Sequence, residues 1–150
     1  MKYRTAIVLM VIICAVIVVL VAPNEKKRLA NDIRALKNAV EKENKTLTLA
    51  YIDNAYLDKK GLNYSGFTQI IDNLIRETDS ISISMSGMKL KIDSVTSSKT
   101  IFASCSLGLR IFAKSGGDKV LIYGGVIQPA GVKGFFKKTS KNYRLYSAEY

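Results

Sequence analysis

The side chains that most often carry enzymatic chemistry are sparse here. There is no histidine in 150 residues. That removes the commonest general base, the commonest metal ligand and every Ser-His or Cys-His nucleophile pair. Of the two cysteines, Cys14 lies inside an apolar run and Cys105 at an inward position of an alternating strand pattern. They cannot pair, and Cys105 reads as a small core residue rather than a nucleophile. No set of cysteines or carboxylates has metal-ligand spacing. The pairs Gly116-Gly117 and Gly124-Gly125 do not sit between a strand and a helix, as a phosphate loop requires, and read as a turn and a bulge. Asp53 and Asp58, with Tyr51, Tyr56 and Tyr123, are the remaining acid and phenol candidates. Asn54, Lys59 and Lys60 beside the two acids make them read first as a solvated helix face. The sequence therefore assigns no catalytic residue, no cofactor and no metal.

Charge narrows the partners. The formal net charge is +11, and setting aside Lys2 and Arg4 leaves 21 basic against 12 acidic residues, or +9. Such a chain is attracted to anionic surfaces. Its charges are scattered, concentrating only at Lys26-Lys27-Arg28 and from Lys133 to Arg144. Attraction to a nearby membrane surface, or simple solubility, explains that pattern better than nucleic acid, which is not expected as a partner.

The membrane enters through Thr5 to Ala22, 18 residues without a charge. As a helix they span about 27 Å, enough to cross a hydrocarbon core. A cleaved signal peptide would have an apolar region of roughly 7–15 residues and a small-x-small site. Here the run is longer, and Leu20 is bulky where Leu20-Val21-Ala22 would need a small residue. Residues 1–23 therefore read as a transmembrane anchor. Basic residues flank both ends, so charge alone does not orient it. The very short N-terminus places the following domain outside the cytoplasm, on a single-pass protein of the cell membrane.

Beyond Pro23, Leu29, Ile33, Leu36 and Val40 recur at spacings of 4, 3 and 4. Residues 24–45 thus read as a juxtamembrane helix with a stripe too narrow for a large core. It suits either a short coiled coil with another chain or a solvated stalk lying against its own domain. A helical pattern resumes through Leu47, Ala50, Tyr51 and Ala55 and stops at Lys60-Gly61. A second helix starts near Ser65, with Phe67, Ile70, Ile71, Leu74 and Ile75 on one face, and ends between Glu77 and Asp79. The period then changes to two. Ile81, Ile83 and Met85 alternate with serines, and Met88, Leu90 and Ile92 continue in shifted phase, which predicts a bulge at Gly87. Ile101 to Ile111 predicts a second strand, Ser115 to Asp118 a turn, and Val120 to Ile127 a third strand, continued as Val132 to Lys138. Tyr143 to Tyr150 predicts the last. The class is α+β: a transmembrane helix, then two or three helices on a curved antiparallel sheet of three to five strands.

From residue 46 to 150 this order resembles the nuclear-transport-factor-2-like superfamily, the cystatin-like α+β cone that includes the SnoaL-like domains. The resemblance rests on the helix pair ending at Gly61-Leu62-Asn63-Tyr64-Ser65-Gly66-Phe67, on the bulged strand, and on the closing pattern. In that pattern Gly134-Phe135-Phe136-Lys137-Lys138 and Tyr143-Arg144-Leu145-Tyr146 are similar to the family's F-x-K-x-x-G-x-W-x-I ending, with Tyr143 for Trp and without the usual Gly. The superfamily hosts enzymes, binding modules and membrane-anchored assembly parts, so fold alone gives no activity. Isomerase-like or dehydratase-like chemistry in the cone would need an inward acid with a tyrosine, and the strand faces expected to look inward carry no acid. A cavity lined by Tyr51, Ala55, Phe67, Ile71, Leu107 and Tyr123 would make the domain a small apolar ligand-binding module; a filled core would not. The favoured expectation is a non-enzymatic interaction or assembly domain. Its partners would be the membrane and other membrane or envelope proteins, or a second copy in a homodimer. Phe102, Arg110 and Phe112, on the sheet face opposite the core, are the expected contact surface.

Overall fold

The computed structural model describes residues 24–150. The expected transmembrane anchor, residues 1–23, lies outside the described residues. Among those described, no helix is long and apolar enough to cross a membrane.

Three helices precede five strands. Helix α1 is described over 24–41, α2 is Lys45–Ala50 and α3 is Tyr64–Glu77. The strands are β1 (Ser80–Val95), β2 (Ile101–Ser115), β3 (Asp118–Tyr123), β4 (Ala130–Lys138) and β5 (Arg144–Glu149). Side-chain oxygens of Asn44 and Asn63 accept from the Leu47 and Gly66 amides and cap α2 and α3.

All five strands form one antiparallel sheet in the order β1-β2-β4-β5, and β3 also pairs with β2. The first half of β2, from Ile101 to Leu109, pairs with β4; its second half, from Ile111 to Ser115, pairs with β3. Two strands thus share one edge of β2. The strand expected from Val120, interrupted at Gly124-Gly125, ends at Tyr123, where Gly124 takes φ +89° and turns the chain away. The expected shift at Gly87 is present: its φ is +61°, and the β1–β2 register slips between Ser86 and Lys89.

The core corrects the sequence reading of 24–45. Leu29 and Ile33 of α1 are buried in one cluster with Ile101, Ala103, Cys105, Phe136 and Tyr143. The segment is packed into the core rather than standing as a solvated stalk, so the fold includes residues from 24 onward and not only from 46. Ala30 and Ala39 are also buried. Small side chains beside a narrow Leu/Ile stripe let the helix approach the sheet closely, which a search for large apolar residues does not register.

The segment after α2 also departs from expectation. The helix stops at Ala50 instead of continuing to Lys60. The Leu145 amide donates to the Tyr51 carbonyl (2.8 Å) and the Asp53 amide to the Leu145 carbonyl (2.8 Å), laying this stretch along the edge of β5. Edge pairing outcompetes helix continuation here, and it covers an edge that would otherwise be open.

Candidate functional site

Residues at the start of α1, the end of β4 and the start of β5 build the most polar part of the interior. Glu25 lies one turn before Leu29 and shares its buried face. Its carboxylate pairs with the Lys138 ammonium (2.5 Å) and accepts from the Tyr143 hydroxyl (2.9 Å). All three side chains are buried. Arg28 reaches the other carboxylate oxygen at 3.4 Å, and Asp32 accepts from the Tyr143 amide at 2.9 Å. Burial alone would raise the Glu25 carboxyl, but hydrogen bonds from Lys138 and Tyr143 outweigh it and hold the group below its ordinary value. Burial and the carboxylate beside it push the Tyr143 phenol up. A carboxylate held in its ionised form by a buried cation and a phenol ties the first helix to the sheet.

The sequence reading passed over this triad. It weighed Asp53 and Asp58 and the inward strand faces, whereas the buried acid comes from α1. The available signal was spacing, since Glu25 precedes Leu29 by four residues.

The other acids are engaged as well. Asp58, buried on the loop after α2, accepts from the Lys60 and Leu62 amides (2.8 and 2.9 Å) and from the Tyr150 hydroxyl (2.7 Å). Burial would raise its carboxyl, and these bonds hold it low. Asp53 pairs with Lys137 at 2.9 Å and caps the Ala55 amide. Neither faces an open interior with a free tyrosine. Tyr56 is buried and its phenol is pushed up to about 12, mainly by burial. Burial likewise lifts the Cys105 thiol to about 11. Among the described residues no group of three His, Cys, Asp or Glu is placed to hold a metal ion.

The six expected pocket residues do not line one hollow. Phe67 packs on Tyr56 with ring centroids 5.3 Å apart, Ile71 is buried on α3, and Ala55 is exposed. Tyr51 serves through its backbone at the β5 edge, and Tyr123 closes β3 opposite Ile111. Leu107 packs against the core and lines a hollow of about 530 Å³ with Ser106, Gly108, Val132 and Lys133 on the sheet. A second hollow of about 460 Å³ lies between α2 and β5, lined by Lys45, Ile52, Tyr64 and Arg144. Glu25, Asp53 and Asp58 line neither, while Glu149 and Tyr150 line the first.

The expected contact residues share the outer face of β2 by alternation. Phe102 packs edge-on against Tyr146 (5.9 Å), and the Lys119 ammonium sits 4.5 Å over the Phe112 ring. Arg110 donates to the Gly125 carbonyl (3.0 Å) and the Ile127 carbonyl (2.7 Å). With the Gly125 amide bonded to the Gln128 carbonyl at 2.9 Å, this closes the 124–129 loop tightly. At its tip Val126 and Ile127 are 83% and 89% exposed.

No family model matches the sequence, and no curated protein is similar to it by sequence. Solved structures, however, share its architecture. A nuclear-transport-factor-2-like protein from Streptomyces avermitilis, provisionally labelled a dehydratase, superposes with a TM-score of 0.63 at 12% identity. It is matched over 85% of this chain and 94% of its own. The fold is nuclear-transport-factor-2-like. A Mycobacterium tuberculosis protein of unknown function shares the fold with a TM-score of 0.66 at 7% identity, over 87% of this chain and 72% of that one. The helical cell shape determining protein of Campylobacter jejuni contains it too, with a TM-score of 0.62 at 8% identity. That match covers 79% of this chain, which spans only 38% of the Campylobacter protein. At these identities the shared feature is the cone, helices on a curved sheet, and not an activity.

Proposed function

We propose that this nuclear-transport-factor-2-like domain is a membrane-tethered, non-enzymatic contact module that works in assembly or scaffolding outside the cytoplasm. The observation that carries the reading is the loop at Val126-Ile127. Two adjacent β-branched side chains project into water, while Arg110 and Gln128 satisfy the backbone beneath them. A tip with its Gly125, Ile127 and Gln128 carbonyls already bonded strands fewer polar groups on entering an apolar pocket of a partner, and much of its ordering is in place beforehand. The interior supports the non-enzymatic part: α1 fills it with Leu29 and Ile33, and its acid is locked to Lys138. The tether rests on the uncharged run from Thr5 to Ala22.

Photo-cross-linking from position 127 in intact membranes tests this. An adduct of defined mass from 127, lost in R110A and absent from a probe at Lys141, is the expected result. A mass of two chains would identify the partner as a second copy. No adduct, or equal labelling from 141, overturns the reading.

A further inference from the structure

The basic residues at 26–28 and Lys141, from the second concentration of positive charge in the sequence, lie at one end of the cone. Lys138 and Tyr143 bond Glu25, which brings the 139–142 turn beside the first turn of α1. Register adds a third segment: Ile101 pairs with Lys138 on one side and with Val95 on the other, so the 96–100 turn sits at the same end. Lys26, Lys27, Arg28, Lys99 and Lys141 are all exposed there. The acids of these segments do not offset them. Glu25 is buried and engaged by Lys138, Tyr143 and Arg28, and the half-buried Asp32 accepts from the Tyr143 backbone. No exposed carboxylate lies in 24–28, 96–100 or 139–142. Thr96, Ser98, Thr139 and Ser140 add exposed hydroxyls. This end is also where the chain continues back to Ala22, the last residue of the uncharged run.

We infer that this end of the cone docks on the anionic phospholipid headgroups of the bilayer that holds the apolar segment. The inference rests on the proposed tether and adds to it: the domain lies against the bilayer by one defined face. Clustered lysines near a surface each gain about 1 kcal/mol from anionic lipid, and more together than a scattered set does. With Glu25 fixing α1 to the sheet, the domain meets the surface in one orientation. The Val126-Ile127 loop, which precedes β4 at the far end of that strand from Lys138, is held away from it.

Full-length chain reconstituted into vesicles of phosphatidylcholine, with or without phosphatidylglycerol, tests this through two readings. Flotation reports the tether. Amine labelling read by mass spectrometry reports the docked face. The chain should float with both vesicles, and phosphatidylglycerol should lower labelling of Lys27, Lys99 and Lys141 by about fivefold, the ratio equivalent to about 1 kcal/mol. Lys119, in the hairpin at the other end of β2, should not change. Charge reversal by K99E and K141E together should abolish the protection of Lys27 without altering flotation. Flotation with both vesicles but no lipid-dependent labelling overturns this inference alone. Flotation only with phosphatidylglycerol overturns the tether and leaves the cationic face standing, and no flotation with either overturns both.

Discussion

Glu25 and Lys138 are 113 residues apart in sequence, yet they form the pair that fastens the first helix to the sheet. Removing one member of a buried pair leaves the other charged and unsatisfied, at a cost of roughly 3 kcal/mol or more. E25Q is therefore expected to lower the unfolding free energy at pH 7 by about 3 kcal/mol in urea titrations. The pH dependence has a fixed sign. The folded-state carboxyl sits below its ordinary value, so its stabilisation is present above the unfolded pKa and is lost as pH falls through the folded one. Wild type should hold its stability from neutral pH down to the ordinary carboxylate range and lose it below, and E25Q should show a shallower acid slope. A second residue-scale expectation concerns Cys105. With its thiol at about 11 and its side chain buried, it should resist iodoacetamide at pH 8 until the protein is denatured. Peptide mass mapping checks this, and native labelling would contradict a filled core.

Elements differ in how far the sequence discloses them. Helix α3 was legible because its pattern is strong and local, with Phe67, Ile70, Ile71, Leu74 and Ile75 on one face, and the last strand was expected from Tyr143, one residue before β5 begins. The bulge at Gly87 was legible because a phase shift falls on a glycine. The role of α1 was not. Its stripe looks narrow until the buried Ala30, Ala39 and Glu25 are counted, and those residue types carry no core signal by themselves. The 51–58 stretch was misread as helix because its partner, β5, lies about ninety residues away and is invisible to local periodicity. Arg110, expected on the contact surface, bonds the Gly125 and Ile127 carbonyls, while Val126 and Ile127, expected in a strand, form an exposed loop tip. The clamp depends on the turn at Gly124, where an added Cβ would meet the Leu109 carbonyl oxygen at 2.5 Å and the backbone is left-handed. G124A is expected to cost about 2 kcal/mol in thermal or urea unfolding. It should also weaken cross-linking from 127, whereas the same change at Gly131, where a Cβ meets nothing within 4 Å, should do neither.

At the scale of the whole molecule, the cone presents two ends with different chemistry. One gathers exposed lysines where the chain leaves its apolar segment, and the far end of β4 leads into a preformed apolar loop. The proposed function and the proposed docking face use these two ends, one toward a partner and the other toward a membrane. The most direct test is alkaline extraction of membranes expressing the full chain, followed by intact-mass measurement. The account predicts an untrimmed chain that stays in the membrane pellet. A chain found in the soluble fraction with its mass cut back to a start near residue 23 would contradict it.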